Sequence, residues 1–196
     1  MQLRTDRNRD YPPVSRLCMH AFFDVPLVST AYALREFANV RLLGPFASVM
    51  NEDIVQGSMP CPSDVATMAA APYNVGAVVN MCVEWPGPQA EYAKHGIVQC
   101  RLPHVDTCAP REAALREGAA FIAEFRAQNP GKRVFVHCKG GIARASTMTL
   151  AHAILNRGED PHVAIKEMQR NRHVVMETVV EYESIASIVR SVASKR

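Results

Sequence analysis

A cysteine and an arginine six residues apart enclose two adjacent glycines in the run His137-Cys138-Lys139-Gly140-Gly141-Ile142-Ala143-Arg144. Arg133-Val134-Phe135-Val136-His137, β-branched and aromatic, precedes the cysteine and reads as a buried strand. A helical pattern from Ser146 to Asn156 follows, with Gly158 placed as its C-terminal stop. Paired glycines let successive backbone N–H groups turn inward, and such a nest in front of a helix N-terminus binds an anion. The same field favours the thiolate form of Cys138. The planar fork of Arg144 matches two phosphate oxygens. A thiolate at the base of a cradle and a guanidinium at its rim suit attack on a phosphate ester. The spacing singles out Cys138: six residues after Cys18, Cys61, Cys82, Cys100 and Cys108 stand Asp24, Thr67, Pro88, Asp106 and Ala114.

The elements around the run alternate. Val40–Gly44, Asp53–Gly57, Gly76–Met81 and Ile97–Leu102 read as strands. Ser63–Ala71 reads as a short helix capped by Ser63 and stopped by Pro72; Arg111–Gln128, Pro161–Arg170 and Glu177–Val192 read as further helices. A loop is expected around Pro86, Gly87 and Pro88. Strands alternating with helices predict an α/β layer fold, with a central, mostly parallel sheet of four to five strands flanked by helices. Ligands of such sheets gather at the carboxyl ends of the strands, where Cys138 falls.

Composition narrows the classes. The chain has 196 residues, 48% hydrophobic and 21% charged, which suits one globular domain and excludes a disordered or collagenous chain. A net charge of +3 is too small to predict nucleic acid as a partner, and none is expected. None of the six cysteines forms a Cys-x-x-Cys pair, and most lie in apolar runs, as free thiols of a reducing compartment do. No metal is expected, because His20, His95, His152, His162 and His173 lack ligand spacing. Residues 1–39 read as an N-terminal extension before a domain over 40–196. Arg4, Arg7, Arg9 and Arg16 suit a mitochondrial targeting segment, and Asp6 and Asp10 oppose it. The apolar stretch Leu17–Leu34 is broken by His20, Asp24 and Pro26. It fits a helix packed on the core better than a segment in a membrane interface. The basic run Met168–Arg172 reads as a solvated helix end, or as a face toward anionic lipid.

His137, Cys138, Gly141 and Arg144 fit His-Cys-x-x-Gly-x-x-Arg, so the chain resembles the cysteine-based dual-specificity phosphatase superfamily. From about residue 53 to 185 it is similar, within that superfamily, to the mitochondrial tyrosine-phosphatase-like enzymes that dephosphorylate phosphatidylglycerophosphate. Gly57-Ser58-Met59-Pro60, Asn80-Met81 with Glu84-Trp85, and His137-Cys138-Lys139 with Gly141 carry that closer likeness. The resemblance implies a dual-specificity phosphatase-like fold and a phosphocysteine intermediate without a cofactor. It also implies an upstream acid to protonate the leaving oxygen. Asp106, in Leu102-Pro103-His104-Val105-Asp106-Thr107, has the position for it; the other reading is a loop-capping carboxylate. His104 is a weaker rival, read as a solvated loop histidine. Glu84 is read as shaping the pocket, as a second acid, or as a solvated carboxylate. Trp85 is read as pocket wall or core.

Two departures from the family pattern stand out. Ala145 replaces the Ser or Thr that follows the signature arginine and stabilises the departing thiolate; Ser146 and Thr147 point about 100° and 200° further round a helix. Ile142 stands where phosphoinositide 3-phosphatases, and many members of the lipid group, carry Lys or Arg, which leaves Lys139 as the loop's lysine and counts against a multiply phosphorylated inositol. The implied site is therefore Cys138, Arg144 and Asp106 for catalysis. Residues 139–144 bind phosphate: Lys139, Gly140, Gly141, Ile142, Ala143 and Arg144. His137 and Glu84 support them. The expected substrate is a phospholipid, first phosphatidylglycerophosphate, with phosphoprotein as the alternative and a phosphate-binding pseudophosphatase as the third reading. Peripheral membrane contact and a mitochondrial inner-membrane location accompany the first reading, with the cytoplasm as alternative.

Overall fold

The computed structural model describes residues 46–194. The expected strand Val40–Gly44 and the N-terminal features lie outside them. In chain order the elements are β1 Ala47–Val49, β2 Ile54–Gly57, α1 Asp64–Ala69, β3 Val75–Cys82, α2 Gln89–Lys94 and β4 Val98–His104. There follow α3 Glu112–Gln128, β5 Arg133–His137, α4 Arg144–Arg157, α5 Pro161–Asn171, a 3-10 turn Glu177–Glu181 and α6 Glu183–Ala193.

The strands form one sheet in the order β1-β2-β5-β3-β4. β2, β5, β3 and β4 run parallel, and β1 closes one edge antiparallel to β2. The mostly parallel sheet is the one the sequence predicts. β5 sits in its middle and is apolar on both faces, as a parallel strand covered on two sides must be. Val134 and Val136 point into the larger core with Leu115, Ile122, Met148 and Ile185; Phe135 points the other way, with Val55, Val65 and Val78. The central strand therefore delivers Cys138 to the sheet's carboxyl edge from a fixed position.

α4 carries the loop on its other side and is buried along Arg144–Ile154. Its polar residues bond locally: Ser146 Oγ donates to Ile142 O (2.6 Å) and Thr147 Oγ1 to Ala143 O (2.9 Å). Gly158 ends it at φ 68°, the left-handed conformation expected of that stop.

Several boundaries differ from expectation. α4 begins at Arg144 rather than Ser146, so the signature arginine is the first helical residue. Ser63 makes no side-chain cap bond to α1; the Asp64 carboxylate instead accepts the Cys61 N–H at 2.7 Å. β4 runs on to His104. The six-residue α2 follows the Pro-Gly-Pro loop and is too short to show a helical period. The expected helix Glu177–Val192 is broken at Tyr182, whose ψ of 134° separates the 3-10 turn from α6. No Gly or Pro marks that break. Among the described residues no helix is long and apolar enough to cross a membrane.

Candidate active site

The loop from Cys138 to Ala143 joins β5 to α4, and its carbonyls are tied outward. Lys139 O accepts the Met59 N–H (3.2 Å), and Gly140 O accepts Arg172 Nη2 (3.1 Å). Gly141 O accepts Gln56 Nε2 (3.1 Å) and Arg172 Nε (3.3 Å). Ile142 O accepts the Met176 N–H (3.0 Å), and Ala143 O the Thr147 N–H (2.8 Å). In a trans peptide the C=O and the following N–H point opposite ways. Outward carbonyls at 139–143 therefore turn the amides of Gly140, Gly141, Ile142, Ala143 and Arg144 inward. The Gly141 N–H lies 3.3 Å from Cys138 Sγ. The sulfur is buried at the base of the nest.

Gly141 is the glycine the turn requires. Its φ is +69°, while Gly140 adopts no positive φ. A Cβ on Gly141 would also lie 2.5 Å from Gly57 O. The loop thus rests on the end of β2, where Gly57 is itself pressed against Phe46 and Phe135. This contact gives the Gly57-Ser58-Met59-Pro60 segment its place in the site. The Gln56 amide bridges Gly141 O and Ser146 Oγ (2.9 Å) from the same strand.

Arg144 is 1% exposed, and its fork is divided between partners. Nη2 and Nη1 donate to Glu84 Oε1 and Oε2 (2.7 and 3.0 Å), Nη1 also to His104 O (2.8 Å), and Nη2 also meets Asp106 Oδ1 (2.8 Å). Nε is buried with no partner among the described residues. One edge of the guanidinium is locked by Glu84, and on the Nε–Nη2 edge the Asp106 carboxylate holds Nη2 beside the unengaged Nε. Burial would raise the Glu84 carboxyl, but the Arg144 fork outweighs it and holds the group below the usual carboxylate range. Burial likewise opposes the Arg144 charge, and its anionic neighbours, Glu84 first, hold it firmly protonated. Lys139 Nζ stands 3.6 Å from Asp106 Oδ2 at the rim.

Asn80 and Arg101 fix the Glu84 loop. Asn80 Nδ2 donates to Trp85 O (2.9 Å), and Arg101 Nη2 to Val83 O (3.1 Å). Trp85 packs against the larger core.

The structure places Cys138, residues 139–144, Asp106 and Glu84 together at one end of the sheet. His137 lies beneath them, buried and stacked on Phe135 with ring centroids 5.5 Å apart. Two expectations are corrected. His104 is no solvated loop histidine: it is buried at the end of β4, its Nδ1 bonds Leu102 O (2.9 Å) and its Nε2 accepts the Arg111 N–H (3.1 Å). Burial pushes its pKa down, so it stands as a neutral bracket for the loop that carries Asp106. The basic run Met168–Arg172 is no uniform solvated end, because Met168 and Arg172 are buried while Arg170 is exposed. The sequence reading gives neither Arg172 nor Gln56 a place at the loop, where both bond Gly141 O. A glutamine inside the apolar run Ile54-Val55-Gln56 was the available signal for the second.

A cysteine nested in inward amides between a parallel strand and a helix, with an arginine at the helix start, defines a cysteine-dependent phosphatase. The family model for the dual specificity phosphatase catalytic domain matches residues 59–185, and the chain belongs to that family. It is 34% identical over 105 residues to phosphatidylglycerophosphatase and protein-tyrosine phosphatase 1 of Mus musculus, covering 50% of this chain and 53% of that protein. It is 26% identical over 152 residues to the Rattus norvegicus protein of the same name, covering 74% and 77%. The chain thus spans about half the length of the mouse relative. A crystal structure of PTPMT1 in complex with PI(5)P shares the fold, with TM-score 0.68 at 23% identity over 77% of this chain and 99% of that one.

Proposed function

We propose that the chain hydrolyses phosphate monoesters through a phosphocysteine on Cys138, within a domain taken as 40–196. The Cys138 thiolate attacks phosphorus and the ester P–O bond breaks, with Asp106 giving its proton to the leaving oxygen. The phosphoryl oxygens take the amides of 139–144 and the Nε–Nη2 edge of Arg144. A phosphate on Nη2 displaces Asp106 Oδ1 from its 2.8 Å contact, which sends the carboxyl toward the leaving group. Water then attacks phosphorus, Asp106 takes its proton, and the thiolate departs. The observation that carries this reading is the divided fork: Glu84 fixes one edge, and a buried Nε with no partner among the described residues remains for the phosphate.

The substrate we propose is phosphatidylglycerophosphate, giving phosphatidylglycerol. The names of the mouse and rat relatives support it, as do Lys139 at the rim and the Glu84-Trp85 loop. The reading entails peripheral contact with a membrane, the mitochondrial inner membrane first and the cytoplasm as alternative. The relatives' name supports phosphotyrosine in protein equally directly, as the second reading. Parallel assays on vesicles of phosphatidylglycerophosphate, vesicles of phosphoinositide and a phosphotyrosine peptide separate them. The lipid reading requires kcat/KM on phosphatidylglycerophosphate to exceed that on the peptide by at least about tenfold, a difference of about 1.4 kcal/mol. Preference for the peptide overturns it, and no turnover of any substrate returns the chain to a phosphate-binding role.

A further inference from the structure

We propose that Arg172 is a positioning residue of the phosphate loop and a fixed cation behind it, gripping the loop from outside so that its amides face Cys138.

Arg172 lies just past α5 and is 4% exposed. A charged group is taken out of water only where something holds it. Here Nη2 and Nε reach two successive loop carbonyls, Gly140 O at 3.1 Å and Gly141 O at 3.3 Å. These carbonyls belong to the peptide planes that carry the Gly141 and Ile142 amides, and the Gly141 amide is the one aimed at Sγ. Four residues on, the Met176 N–H binds Ile142 O, so the segment after α5 lies along the back of the loop as a strap. A planar fork suits two adjacent carbonyls in a way that a single ammonium does not. Burial pulls the Arg172 pKa down, and the neighbouring Cys138 opposes that, which puts guanidinium and sulfur in one another's field.

The charged and titratable groups about the sulfur come from every side. Arg144 and Lys139 belong to the loop and the start of α4, Cys82 ends β3 and Glu84 follows it, Asp106 follows β4, and Arg172 stands behind. Glu84 and Asp106 are already engaged with Arg144. A further cation therefore bears on the charge at sulfur. Ala145 makes this more consequential, because Ser146 and Thr147 direct their hydroxyls to loop carbonyls.

The inference rests on Cys138 being the nucleophile, so the test reads the thiol without a phosphate substrate. Iodoacetamide alkylation of Cys138 is followed by peptide mass in the natural protein and in Arg172→Met, Arg172→Gln and Arg172→Lys. At about pH 6.5 the two neutral variants should react roughly tenfold more slowly, because the buried cation behind the sulfur is gone, and the gap should close by about pH 9.5. Lysine should recover most of the alkylation rate at low pH. Its kcat on an aryl phosphate should stay roughly tenfold down, because one ammonium cannot hold both carbonyls. If Arg172→Met fails to fold, the glutamine and lysine pair decides, since glutamine keeps a donor without the charge. Alkylation of either neutral variant at the natural rate overturns the proposal. A natural Cys138 that alkylates no faster than Cys108 overturns the nucleophile reading itself, and the proposal with it.

Discussion

Glu84 and Arg144 meet edge to edge, two carboxylate oxygens on two guanidinium nitrogens at 2.7 and 3.0 Å, with the arginine 1% exposed. The pair fixes the rotation of the fork before any phosphate arrives, and it determines which edge the phosphate meets.

Glu84→Gln should therefore lower kcat/KM by roughly 10–100-fold, because the fork loses its rigid setting. Stability should fall by about 3–5 kcal/mol, the cost of breaking a buried pair. The folded carboxyl titrates below its ordinary value, so its contribution is fully present above about pH 4.5 and fades as pH falls through the folded pKa. Urea unfolding of the natural protein and Glu84→Gln across that range checks the sign: the gap should narrow in acid. A gap that widens there contradicts the assignment.

Asp106→Asn should slow hydrolysis of alkyl phosphates by roughly 10²–10⁴-fold and matter far less for an aryl phosphate with an acidic leaving group, which scarcely needs a proton. Equal losses on both would leave Asp106 as a partner of Arg144 and Lys139 only.

Ala145 is buried in the first turn of α4 and offers sulfur no hydroxyl. Loss of one hydrogen bond to a departing thiolate is worth about 1.5–3 kcal/mol, or roughly 10–150-fold in the second step. Rapid mixing with an aryl phosphate should show a burst, and Ala145→Ser should shrink it while raising the steady rate. No burst, and no gain from serine, would make the substitution chemically silent.

The strand-loop-helix around Cys138 was legible because local signals agreed. Val134, Phe135 and Val136 mark a buried strand, the glycines a turn, and Gly158 a helix end. Asp106 stands after a strand, where the resemblance places an acid, and the structure sets it against Arg144. The back of the loop was not. Gln56 and Arg172 are 116 residues apart in sequence and meet at Gly141 O, a carbonyl that pattern cannot see. His104 was misjudged because its strand extends past Leu102 and buries it. The break at Tyr182 escaped because backbone torsion, with no Gly or Pro, makes it.

The most direct test of covalent phosphoryl transfer is acid quench of the enzyme in steady turnover of an aryl phosphate, followed by peptide mass. One phosphoryl group should appear on the peptide carrying Cys138, and Cys138→Ser should neither trap phosphate nor turn over. An unmodified Cys138 peptide under turnover, together with an active Cys138→Ser protein, would contradict it.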